Sequence, residues 1–125
     1  MAAVTVTGAK PIETAAIDTG DSAIASWTLT TADPTGDPLV GYEDYADRTV
    51  QLFGTIGGAT VEIQGSLDGG TTWTVLADPQ GTPISKTTLP HIEAILEAVP
   101  RIRAILTVVG AGATVNVRLY MRKGA

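Results

Sequence analysis

Apolar and polar residues alternate along most of this chain, in runs rich in Val, Ile and Thr that Gly, Pro and Asp interrupt every eight to twelve residues. That spacing predicts an all-β domain, a sandwich or a barrel. The runs place strands at Val4–Thr7, Ala23–Thr30, Arg48–Ile56, Thr60–Leu67, Thr72–Ala77, Thr82–Thr87, Arg101–Val109 and Thr114–Arg122. One segment has a different period. Pro90 suits the first turn of a helix, Ile92, Ile95 and Leu96 then share a face, and Pro100 closes the stretch. A short helical connector is expected near 90–97.

The last two strands predict a hairpin. Val115, Val117, Leu119 and Met121 alternate with polar residues, and Ile102, Ala104, Leu106 and Val108 form a matching apolar set. Matching the two sets pairs Leu106 with Val115 and Ile102 with Leu119, with a type II′ turn at Gly110-Ala111. In this register Arg101, Arg103, Arg118, Tyr120 and Arg122 share one outward face, and Arg103 lies opposite Arg118. Directly opposed like charges destabilise a strand pair, so the cluster calls for an acidic answer, from Glu62 or the Asp-rich loop or from a neighbouring subunit. A second hairpin is expected at Gly57-Gly58-Ala59, with Leu52 and Ile56 facing Val61 and Ile63. The tetrapeptide Gly-Ala-Thr-Val occurs at both tips, residues 58–61 and 112–115, which is read as convergence on a good turn.

The stretch 31–47 breaks the strand pattern. Two Asp-Pro steps favour turns, and five acids and two tyrosines crowd what reads as a long loop. Tyr42, Glu43, Asp44, Tyr45 and Asp47 are interface candidates on it, because long loops in compact domains are usually functional or mobile. Residues 1–20 lack a core pattern after Thr7 and read as an N-terminal strand and arm that orders against a neighbour. Residues 21–125 form the domain proper, with Trp27 and Trp73 assigned to its core.

Composition narrows the function classes. The 125 residues suffice for one domain that buries roughly two-thirds of its unfolded surface. With 44 % hydrophobic and 17 % charged residues the chain is built to fold, and with no cysteine it has no disulfide or thiolate chemistry. No signal peptide is expected, and no apolar run is long enough to cross a bilayer as a helix. The net charge of −5 argues against a nucleic-acid partner. The charge is also polarised: residues 1–80 hold eleven acids and two bases, and residues 81–125 hold two acids and six bases. Such charges either pair within the fold or suit docking onto copies of the chain or onto a polarised partner.

Catalysis finds little support in the residues. His91 is the one histidine, and the four serines lie outside any nucleophile-elbow context. The acids at 33, 37, 43, 44 and 47 do not follow EF-hand spacing, so no metal and no cofactor is expected.

Three resemblances follow from motifs. Ser66-Leu67-Asp68-Gly69-Gly70-Thr71-Thr72-Trp73 matches Ser-x-Asp-x-Gly-x-Thr-Trp and resembles the Asp-box turn of sialidase propellers. That turn is structural and recurs once per blade; here it occurs once, which excludes a propeller. Ser66, Asp68, Gly70 and Trp73 therefore mark a corner, not a sugar site. The longer stretch from Val61 to Leu76, followed by Val99-Pro100-Arg101-Ile102-Arg103-Ala104-Ile105-Leu106-Thr107, is similar to discoidin-type jelly-roll domains. The cysteines and aromatic ligand spikes of that family have no counterpart here, so its lipid and glycan recognition is not carried over. Third, over residues 48–122, the chain runs from a Gly-Gly-Ala-Thr-Val tip through the Asp-box turn, Ile92-Glu93-Ala94-Ile95-Leu96-Glu97 and Pro100-Arg101-Ile102-Arg103 to a terminal Gly-Ala-Thr-Val strand. This order resembles small capsid decoration (cement) proteins of tailed bacteriophages.

The last resemblance implies a jelly-roll-like antiparallel β-sandwich that cements a capsid by bridging neighbouring subunits. It would be a non-enzymatic homo-oligomer, with a trimer favoured, on the virion surface after synthesis in the host cytoplasm. Its partner would be the major capsid protein or another virion protein, with no nucleic acid and no membrane. A carbohydrate- or surface-binding module of a phage tail or baseplate is the alternative.

Overall fold

A computed structural model of the chain describes residues 1–8 and 22–123. Ten strands run in the order β1 (Thr5–Gly8), β2 (Ser22–Thr30), β3 (Leu39–Val40), β4 (Asp47–Thr55), β5 (Thr60–Ser66), β6 (Thr74–Val75), β7 (Ser85–Lys86), β8 (His91–Ala94), β9 (Arg101–Val108) and β10 (Thr114–Arg122). They form two antiparallel sheets. Sheet I has the order β1-β2-β10-β4-β8, and sheet II the order β3-β9-β5-β6, with β7 also paired to β5.

The alternation seen in the sequence fills the space between the sheets. Ala23, Ala25, Trp27 and Leu29 of β2, Val50 and Leu52 of β4, and Val115, Val117, Leu119 and Met121 of β10 point inward from sheet I. Val61, Ile63, Ile102, Ala104 and Leu106 meet them from sheet II. Burial of this apolar surface is the main force holding the two sheets together. Trp27 sits in the core as expected, 2 % exposed, and donates its indole N–H to the Asp37 carbonyl at 2.8 Å.

Neither expected hairpin forms. β10 lies between β2 and β4 in sheet I, whereas β9 lies between β3 and β5 in sheet II. β4 and β5 likewise belong to opposite sheets. Both connections are arches that carry the chain across the roughly 10 Å between stacked sheets. The apolar alternation is satisfied equally well by a neighbour in the same sheet and by one in the facing sheet, so the pattern alone does not distinguish them.

The two arches lock together. Ala111 N–H donates to the Gly57 carbonyl at 3.0 Å. Gly110 has φ +67°, and a Cβ there would lie 2.4 Å from the Gly57 oxygen. The recurring Gly-Ala-Thr-Val therefore marks two equivalent positions, with Ala59 and Ala113 buried under the arches and Val61 and Val115 fully buried beyond them.

The expected helix at 90–97 is also absent, since the described residues contain no helix. Residues 91–94 instead form edge strand β8, which pairs Thr49 with Ala94 and Leu52 with His91. An isolated helix of this length is marginal, and β4 offers a row of backbone partners that β8 takes up. Ile95 enters the core, while Ile92 is left 65 % exposed.

At the N-terminus, β1 pairs with β2 and buried Ala2 bridges to Gly36, so residues 1–8 lie against their own chain. The rest of the expected arm, 9–20, lies outside the described residues. The 31–47 segment is threaded into the fold: β3 pairs with β9, and Thr35 bridges to Ile105.

Candidate functional site

Because β9 and β10 sit in different sheets, the predicted arginine cluster divides. Arg101 and Arg103 lie on the outer face of sheet II; Arg118, Tyr120 and Arg122 lie on the outer face of sheet I. Arg103 is beside Gln64 in the sheet and nowhere opposite Arg118. The expected like-charge clash does not arise.

On sheet II, the Arg103 guanidinium lies 4.3 Å above the Trp73 ring and donates twice to Gln64 Oε1, at 3.0 and 2.8 Å. Partial burial lowers its pKa. Trp73 is thus half-buried on the outside of the sandwich and not in the core. Its indole N–H caps the Gly70 carbonyl at 3.0 Å and turns the ring toward Arg103.

The Asp-box turn closes as its residues require. Ser66 Oγ donates to Asp68 Oδ1 at 2.8 Å and accepts from Gly70 N–H at 2.9 Å; Asp68 Oδ1 also accepts from Thr72 N–H at 2.8 Å. The Thr72 backbone N–H and the Ser66 hydroxyl pull the exposed Asp68 carboxyl down to about 2. The Ser66 hydroxyl and Asp68 Oδ1 are used within the turn, which agrees with a structural corner.

Sheet I carries a shallow groove of about 600 Å³ across its outer face. Arg118 stands at its centre, between Ser26 of β2 and Gln51 of β4 in the register of the sheet. Its guanidinium lies 5.2 Å over the Phe53 ring, and among the described residues it makes a 3.4 Å hydrogen bond to the Val117 carbonyl. Ile24, Tyr120 and Ile92 supply apolar wall. Farther along β10, Arg122 is answered within the chain by Asp47, with Nε and Nη2 both 2.7 Å from Oδ2. That carboxylate raises the Arg122 pKa.

The loop candidates gather around a residue the sequence reading passed over. Arg48 is 2 % exposed, and its guanidinium donates to three backbone carbonyls: Tyr45 at 2.8 Å, Val99 at 2.9 Å and Tyr42 at 2.9 Å. Burial lowers its pKa, opposed by the nearby Glu43 carboxylate. Tyr42 and Tyr45 pack edge to face at 5.3 Å, and the Tyr45 N–H closes the turn on the Tyr42 carbonyl. Glu43 and Asp44 are exposed at the tip. The sequence signal for Arg48 was its place in an otherwise inward-facing alternation with Val50 and Leu52.

No metal-holding constellation assembles from the described residues. His91 meets Thr88 at 3.1 Å and Glu93 at 3.8 Å, Glu93 pairs with Lys86 at 3.3 Å, and no group of three or more His, Cys, Asp or Glu converges. No helix among the described residues is long and apolar enough to cross a membrane. Fold and surface together define an all-β sandwich with a groove on one outer face and an aromatic–arginine patch on the other. Comparison with family models, curated proteins and solved structures finds no match for the chain.

Proposed function

We propose that the chain is a structural virion protein that decorates or cements a tailed-phage capsid by bridging neighbouring subunits. One observation carries this reading beyond the motif order in the sequence. Both outer faces of the sandwich present guanidinium groups (Arg101 and Arg103 on one, Arg118 on the other) that have no carboxylate partner among the described residues. A chain of net charge −5 that leaves cations unanswered on opposite faces is suited to touch two acidic surfaces at once. The proposed partner is the major capsid protein or another virion protein, and the proposed location is the capsid surface.

Purified protein titrated onto capsids stripped of it should bind saturably, with a fixed number of copies per capsid. Arg103→Gln and Arg118→Gln should each weaken that binding. Absence of saturable binding to capsids would remove the virion reading.

The groove of sheet I, with Tyr120 and Ile92 exposed on it, favours a second reading as a carbohydrate- or surface-binding module of a tail or baseplate. Retention on a glycan array, lost on Tyr120→Ala, would support that reading over the first.

A further inference from the structure

Two features at the sheet I side of the molecule are complementary in charge. At the centre of the groove stands the Arg118 guanidinium, held over Phe53 with no carboxylate partner among the described residues. Arg118 lines the groove with its guanidinium packed over the Phe53 ring, and a planar guanidinium is suited to pair with a carboxylate in bidentate fashion. Ser26 and Gln51 flank it with further polar atoms.

At the turn before β4, Glu43 and Asp44 are both exposed, and neither makes an ion pair or hydrogen bond among the described residues. This turn is stiff. Buried Arg48 holds the carbonyls on both sides of the tip, and the Tyr42–Tyr45 ring pair fills the space beneath it. Two carboxylates on a pre-ordered knob lose little entropy on docking. Arg122 and Asp47, next to the knob, already satisfy each other, so they do not compete for it.

We propose that the Glu43–Asp44 knob of one copy docks into the Arg118 groove of the next. The occupant of the groove is thus a second copy of this chain, held by carboxylate–guanidinium pairs with Tyr120 and Ile92 as apolar wall. Knob and groove are different surfaces, so the contact either closes as a reciprocal two-fold dimer or runs head to tail into a ring or a filament. It deepens the homo-oligomer part of the capsid reading but is tested without capsids, so failure of one leaves the other standing.

Sedimentation velocity across protein concentration, on the full chain, tests this. The wild-type chain should self-associate. Arg118→Glu and the pair Glu43→Lys with Asp44→Lys should each weaken association by about tenfold or more, a size expected for close interfacial charge pairs. Arg118→Gln, a milder change, guards against misfolding and should move in the same direction, with the unfolding midpoint of each variant near that of the wild type. Combining all three reversals in one chain should restore association. A wild-type chain that stays monomeric at all concentrations overturns the proposal. So does association that survives the reversals, or that Arg118→Glu abolishes while the Glu43 and Asp44 reversals leave it unchanged, because the groove would then hold some other acidic ligand.

Discussion

Arg48 shows how a single buried charge can organise a surface loop. Its guanidinium makes no salt bridge among the described residues, though the Glu43 carboxylate is near, and spends its donors on the carbonyls of Tyr42, Tyr45 and Val99. Arg48→Met would leave three acceptors without their partner and should destabilise the fold by about 3 kcal/mol. Chemical denaturation reads this directly. Arg48→Lys should recover only part of the loss, because an ammonium cannot reach three divergent carbonyls with the geometry of a planar fork. Asp68 gives a different kind of test. Its folded pKa of about 2 lies below the ordinary value of 3.8, so its contribution is present above about pH 4 and is lost as pH falls toward 2. Asp68→Asn should lower the unfolding midpoint at neutral pH, and the gap to wild type should close by about pH 2. The Asp-box motif was readable because its partners lie within a few residues of one another. Arg48 was not, since two of its carbonyl partners, Tyr42 and Tyr45, lie on a turn whose path the alternation does not show, and the third, Val99, comes from 51 residues away.

At the scale of elements, eight strands were legible and their pairing was not. Strand positions follow from alternation and turn residues, which are local. Whether 109–113 turns back within a sheet or arches across to the other depends on what β10 meets, and β10 meets β2 and β4. The helical spacing of Ile92 and Ile95 misled for the same reason: the free edge of β4 outweighed a weak local preference. The arches make a sharp prediction. Gly110 and Gly112 both have positive φ, +67° and +71°, but only at Gly110 would a Cβ also collide with backbone, at 2.4 Å. Gly112→Ala should therefore cost about 1 kcal/mol, and Gly110→Ala at least about 2 kcal/mol because the arch contact opens as well. Thermal unfolding of the two variants compares them.

For the whole molecule, the charge balance matters less than where the charges end up. Asp47 and Glu93 answer Arg122 and Lys86 inside the fold, whereas Arg101, Arg103 and Arg118 stand on opposite faces with no acidic partner among the described residues. If those faces bind capsid subunits, binding should weaken as salt rises from about 0.05 to 0.5 M, where the Debye length shortens to a few ångströms. The unfolding midpoint should change little over that range, since the fold rests on apolar packing. Sequence alone determined that this is an all-β chain, where most strands lie, that Trp27 is core and that the Asp-box is a corner. All of these depend on residue chemistry and short-range period. Only the tertiary structure decided that the last two strands belong to different sheets, and with that, which arginines share a face. Strand order is a contest among distant partners with equivalent alternation, and no single strand carries its outcome.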